Sequence, residues 1–120
     1  MIKIFVFCYL LFFVKAEDCN FQSKSYCGNT YFGINNINIT EIRKNNFYVS
    51  ADIFSKTQVC NNETFHCFDD GSILFSNSSS DCLTSLFKQY GLNPPSLKYN
   101  NETNVIDIVE EGMNIELNKC

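Results

Sequence analysis

The chain has no tryptophan, one histidine and two prolines, and its nine lysines and arginines stand against thirteen aspartates and glutamates. Each shortage removes a class of function. With a pI near 4.8 there is no basic stripe for a phosphate backbone, so no nucleic-acid partner is expected. A single imidazole, His66, cannot supply a histidine set for zinc, and any Ser-His-Asp or Cys-His device would depend on it alone. His66 stands beside Cys67 in a strand-like run with no nucleophile elbow, and it reads as a strand residue. Glycine-rich phosphate loops, dinucleotide fingerprints and Cys-x-x-Cys pairs are also missing, so no catalytic residue, cofactor or metal is assigned. Carboxylates are the exception, because a hydrolase needs only two acidic groups at a set distance and that distance belongs to the fold.

Long apolar runs are scarce too, and the one present lies at the start. Lys3 precedes the eleven-residue run from Ile4 to Val14, and Val14-Lys15-Ala16 follows it. This is the layout of a secretory signal peptide over residues 1–16, with cleavage before Glu17. A membrane span would need about 20 apolar residues. The expected plan is a cleaved signal, then a single secreted, disulfide-rich domain over 17–120 that is extracellular and has no membrane attachment. Loss of Lys3 and Lys15 leaves seven positive charges against thirteen negative.

Cleavage also removes Cys8 and leaves six cysteines: Cys19, Cys27, Cys60, Cys67, Cys82 and Cys120. An even count in an exported chain predicts three disulfides. Six cysteines allow fifteen pairings. The shortest loops favour Cys19 with Cys27 and Cys60 with Cys67, leaving Cys82 for Cys120.

Four sequons, at Asn38, Asn62, Asn77 and Asn101, fit the acceptor pattern for N-glycosylation. With sixteen asparagines after the signal, their number is close to chance, so position carries more weight. Asn62, Asn77 and Asn101 fall in polar breaks. Asn38 lies between Ile37 and Ile39, and in a strand it would face away from them.

Residues 17–29 show little periodicity. Tyr31 to Ile34 and Ile37 to Ile42 are short β-type runs, and Phe47 to Phe54 places Phe47, Val49, Ala51 and Ile53 on one face, after a turn at Asn45-Asn46. Thr64 to Phe68 and Ser72 to Phe75 flank Asp69-Asp70-Gly71, a hairpin turn rather than a calcium loop. A short helix opens at Ser79 or Ser80, with Asp81 in its first turn and Cys82, Leu83, Leu86, Phe87 and Tyr90 on one face, and it ends at Gly91 before Pro94-Pro95. Further strands follow at Leu97 to Tyr99, Asn104 to Val109 and Met113 to Lys119. The sum is an α+β fold: a small disulfide-stapled domain, mainly an antiparallel β-sheet of five to seven strands with one short helix packed on it.

An early Cys19 and Cys27, strands running to Cys60, Phe65-His66-Cys67-Phe68 before an Asp-Gly turn, a Cys82-Leu83 helix ending at Gly91 and a last cysteine form a recognisable order. In layout it resembles a nematode-type family of small secreted cysteine-rich proteins of unknown function. The resemblance implies an extracellular or luminal protein with no assigned activity, and no functional residues carry over. The expected function is therefore that of a secreted, N-glycosylated, non-enzymatic protein that binds an extracellular protein or matrix component, its oligomeric state open. The alternatives are a protease inhibitor presenting Asn61 to His66 or Asn93 to Ser96, and a small carboxylate-dependent hydrolase.

Overall fold

A computed structural model describes residues 19–29, 33–76, 78, 80–110 and 113–120. Eight strands follow one another: β1 (Ser25–Gly28), β2 (Ile34–Arg43), β3 (Asn46–Ile53), β4 (Lys56–Cys67), β5 (Ser72–Phe75), β6 (Ser96–Asn100), β7 (Val105–Glu110) and β8 (Met113–Lys119). Each pairs antiparallel with its neighbours in sequence, and β8 returns to β1 through Tyr26 opposite Lys119 and Cys27 opposite Asn118. The sheet is thus a closed up-and-down barrel with no free edge of the kind an open sheet leaves.

This corrects the expected α+β fold. Alternating apolar and polar residues are the same signal in an open sheet and a closed one, and the short β1, hidden in a segment without visible periodicity, makes the closure. The two short runs before Arg43 are one ten-residue strand, bent at Asn36, whose φ of 52° accompanies a register shift between Asn35 and Asn38. The expected hairpin is present, with Phe65, His66 and Cys67 opposite Phe75, Leu74 and Ile73 and Gly71 in the left-handed region. A Cβ at Gly71 would run into the Tyr99 carbonyl oxygen, so only glycine fits there.

The single described helix, α1 (Cys82–Gln89), stands beside the barrel wall rather than across a sheet. β5 pairs with β4 only from Phe65 to Cys67, and α1 is tied to the earlier part of β4 at Gln58, Cys60 and Glu63. The cap is Asp81, not Ser80: its Oδ2 accepts from the Thr84 N–H at 3.0 Å and the Thr84 hydroxyl at 3.0 Å. Ser79 lies outside the described residues. At the other end Gly91 has φ 67°, and the Leu92 N–H donates to the Phe87 carbonyl at 2.8 Å, closing the last turn as expected.

Most inward positions are apolar, with Gln58 and Glu63 of β4 as exceptions, and most outward ones are polar, with Val59, Leu74 and Val109 exposed among them. On β8 Ile115 and Leu117 are buried while Asn114, Glu116 and Asn118 are exposed; on β4 Phe65 and Cys67 alternate with Thr64 and His66. One end of the barrel is plugged by the chain before β1. The Phe21 ring packs on Phe47, Tyr26 and Tyr99 with centroids 5.5, 6.1 and 4.6 Å away. Below it, Asn104 Oδ1 accepts from the hydroxyls of Tyr26 at 2.5 Å and Tyr99 at 2.9 Å, and Asn104 Nδ2 donates to Ser23 Oγ at 2.8 Å. These bonds satisfy polar groups that burial would otherwise leave costly. Burial pushes the Tyr26 phenol up to about 12, with the neighbouring Tyr99 hydroxyl acting in the same direction.

Three disulfides hold this arrangement: Cys19–Cys67, Cys27–Cys120 and Cys60–Cys82. The short-loop pairing is overturned. Cys60 and Cys67 lie on the same strand, seven residues or about 23 Å apart, and cannot meet. Loop-closure entropy rises only slowly with loop length, so the fold's geometry outweighs it. Cys19–Cys67 ties down the plug, Cys27–Cys120 staples the β1/β8 seam, and Cys60–Cys82 joins α1 to the wall. The signal segment 1–16 with Cys8, the strand start at Tyr31 and Phe32, Asn77, and the turn residues Glu111 and Gly112 all lie outside the described residues.

Candidate ligand-binding cavity

Opposite the plug the barrel is not filled. A cavity of about 110 Å³ lies between the strands and α1. Its walls come from alternating inward residues: Ile34, Ile37 and Ile39 of β2, Val49, Ala51 and Ile53 of β3, and Leu97, Ile108 and Ile115 across the barrel. Phe65 and Phe75 line it at the β4/β5 pairing, and α1 contributes Leu83, Leu86 and Phe87. The apolar helix stripe read from the sequence therefore does face the barrel, but part of it borders open space instead of packed core.

Two polar side chains, Ser50 and Gln58, complete the lining, and no ionisable group belongs to it among the described residues. Gln58 is opposite Ala51 in the β3/β4 register, which turns it inward. Its amide Nε2 donates to the Tyr90 hydroxyl, 3.1 Å away, at the C-cap of α1. The Tyr90 ring in turn meets Phe54, with centroids 5.9 Å apart. Phe54 is 59% exposed and, with Ser55, takes positive φ at the β3/β4 turn, a conformation uncommon for an aromatic residue. Its N–H donates to the Gly33 carbonyl at 2.9 Å, which helps hold that turn.

A second feature lies behind the helix. Between Cys60 and Glu63 the β3/β4 register shifts, Phe47 facing Glu63 and Val49 facing Cys60, so Asn61 and Asn62 share one partner position. This bulge throws both asparagines outward and turns Glu63 in, where it is 1% exposed. Glu63 Oε1 accepts from the Leu83 N–H at 3.2 Å, while Oε2 has no hydrogen-bond partner. Burial, reinforced by the neighbouring Asp81 carboxylate, raises the Glu63 carboxyl to about 8. The register also sets Asp107 opposite Glu116 on the outer face of β7 and β8, and Glu63 with Asp81 is the pair that includes a buried carboxyl. Both members are occupied with the first turn of α1, and neither lines the cavity.

The remaining expected sites fall as follows. Asn62 and Asn101 are exposed, and Asn38 is half-buried on the outer face of β2, its Oδ1 accepting from the Thr40 hydroxyl at 2.6 Å. His66 is exposed on the outer face of β4. Residues 61–66 belong to β4 rather than to a free loop, so that candidate inhibitory loop is corrected; 93–95 is a connector whose Pro95 lines the cavity. Asp70, expected in a turn, accepts from the Ser72 N–H at 2.8 Å, which holds its carboxyl below the usual range.

Fold and cavity together define a small up-and-down β-barrel, crosslinked by three disulfides, with an apolar chamber under a helix. No protein-family model, curated protein or solved structure matches the chain.

Proposed function

We propose that this is an exported binding protein that carries a small apolar molecule inside its barrel and performs no chemistry on it. The cavity carries the reading. Eight-stranded barrels are just wide enough either to be filled by side chains or to hold one small ligand, and this one leaves about 110 Å³ between Ile, Val, Leu and Phe side chains. An apolar void of that kind stays dry and gains dispersion contacts when an apolar guest enters. The expected partner thus moves from a protein or matrix component to a small molecule.

Export is the other half of the proposal. Three disulfides are typical of extracellular proteins, and the polar outer face, with an apolar interior, is the reverse of the pattern of a membrane-spanning barrel. Occupied sequons at Asn38, Asn62, Asn77 and Asn101 and cleavage before Glu17 belong to the same reading.

The test uses oxidised protein secreted from a eukaryotic host. Intact mass is expected to start at residue 17, with glycan removable enzymatically, no thiol reactive before reduction and six after it. Butane is then titrated against the thermal midpoint, where saturable stabilisation is expected, and Ala51→Phe, which fills the chamber, should abolish it. Absence of saturable binding by any uncharged apolar probe overturns the carrier reading, and retention of 1–16 overturns export.

A further inference from the structure

The lining also restricts the chemistry of the ligand. Resting on the carrier reading, we infer that the cavity is built for a small uncharged aliphatic alcohol, its chain among the isoleucines and its hydroxyl at Gln58.

Charge is excluded first. Among the described residues no Lys, Arg, His, Asp or Glu lines the cavity, so a carboxylate or ammonium drawn into it would lose its hydration with no described partner in exchange. A wholly apolar guest is also a poor match, because it would leave Gln58 facing hydrocarbon. Gln58 is turned inward on β4 between Lys56, exposed at the start of the strand, and the buried Cys60, and its amide is held at one end only. The bond from Nε2 to Tyr90 fixes the plane of that amide, while Oε1 makes no hydrogen bond among the described residues. A hydroxyl both donates and accepts, so it satisfies the free end of the amide in either orientation. Tyr90 is a positioning residue: it acts through Gln58, and its own ring is steadied by Phe54 at the β3/β4 turn. Size sets the remaining limit. A cavity of 150 Å³ accepts the six carbons of benzene, so 110 Å³ suits a chain of about four carbons with its head at the Gln58 end.

Native mass spectrometry and calorimetry on the oxidised protein at pH 7, with four probes of equal carbon number, separate the alternatives. 1-Butanol is expected to bind about fivefold or more tighter than butane, and butyrate and butylamine more weakly than either. Gln58→Leu and Tyr90→Phe are expected to erase the preference for butanol over butane. The Tyr90 variant keeps the ring and loses only the hydroxyl, so it guards against loss of fold in the first. If butanol and butane bind equally and neither variant changes their ratio, the head-group assignment falls and the carrier reading stands. Tightest binding by butyrate or butylamine likewise overturns the assignment. If none of the four binds, both readings fall together.

Discussion

Glu63 makes the stability of this protein depend on pH in a calculable way. In the unfolded chain its carboxyl titrates near 4.5; in the barrel, buried at 1% exposure beside Asp81, it is raised to about 8. Between those values the native state holds one proton more than the unfolded state, so the free energy of unfolding falls as pH rises. The contribution is fully present below about pH 4.5 and is lost as pH climbs through 8. The slope is about 1 kcal/mol per pH unit, several kcal/mol across the window, which is a large share of the about 5 to 15 that holds a domain together. Glu63→Gln removes the titration but keeps the geometry: an amide oxygen still accepts the Leu83 N–H, and the amide nitrogen can donate toward Asp81. Urea unfolding followed by circular dichroism at half-unit steps from pH 4 to 9, disulfides intact, is expected to show a falling curve for the wild type and a nearly flat one for the variant. Asp52 and Asp70, both held below the usual carboxylate range by hydrogen bonds, lose stability in acid in both proteins and cancel in the difference. Parallel curves between pH 5 and 7.5 would refute the assignment of a neutral, buried Glu63.

The crosslinks should differ in worth. By loop-closure entropy, removing Cys27–Cys120, which spans 93 residues, costs about 5 kcal/mol, against about 3 for Cys60–Cys82, which spans 22; paired Cys→Ser variants compared in urea check the order. With Tyr26 raised to about 12, stability is expected to be lost as pH rises from about 10 through 12; ultraviolet titration of wild type and Tyr26→Phe isolates that step. Gly71→Ala is expected to destabilise by about 1 to 3 kcal/mol, from a φ of 91° and the Tyr99 carbonyl in the way of its Cβ, measured by thermal unfolding.

Helix α1 links fold to function. β5 is only four residues long, which leaves much of β4 without a strand on that side, and α1 attaches there through the Cys60–Cys82 disulfide, the Glu63 contact to Leu83 and the Gln58 contact to Tyr90. A helix brings Leu86 and Phe87 to the barrel less closely than a strand would, and the space left is the cavity.

Local physics was legible in the residues themselves. Phe47, Val49, Ala51 and Ile53 announce one buried face, Asp-Gly announces the turn at Gly71, and Gly91 before Pro94-Pro95 ends the helix, because each depends on neighbours within a few positions. The bulge at Asn61-Asn62 was not legible: on paper, strict alternation through β4 puts Asn61 and Glu63 on the face of Phe65 and Cys67 and turns Gln58 and Cys60 outward, whereas the bulge turns Asn61 out and brings Gln58 and Cys60 in. By itself the sequence determined the layout expected of an export signal, the six cysteines that follow it, the strand pattern and the short helix. Only the tertiary structure decided that the sheet closes, which cysteines meet, and that a chamber remains with Gln58 at its edge. The reason is distance along the chain: β1 meets β8 and Cys27 meets Cys120 across 93 residues, and no periodicity in a stretch of sequence encodes a contact that far away.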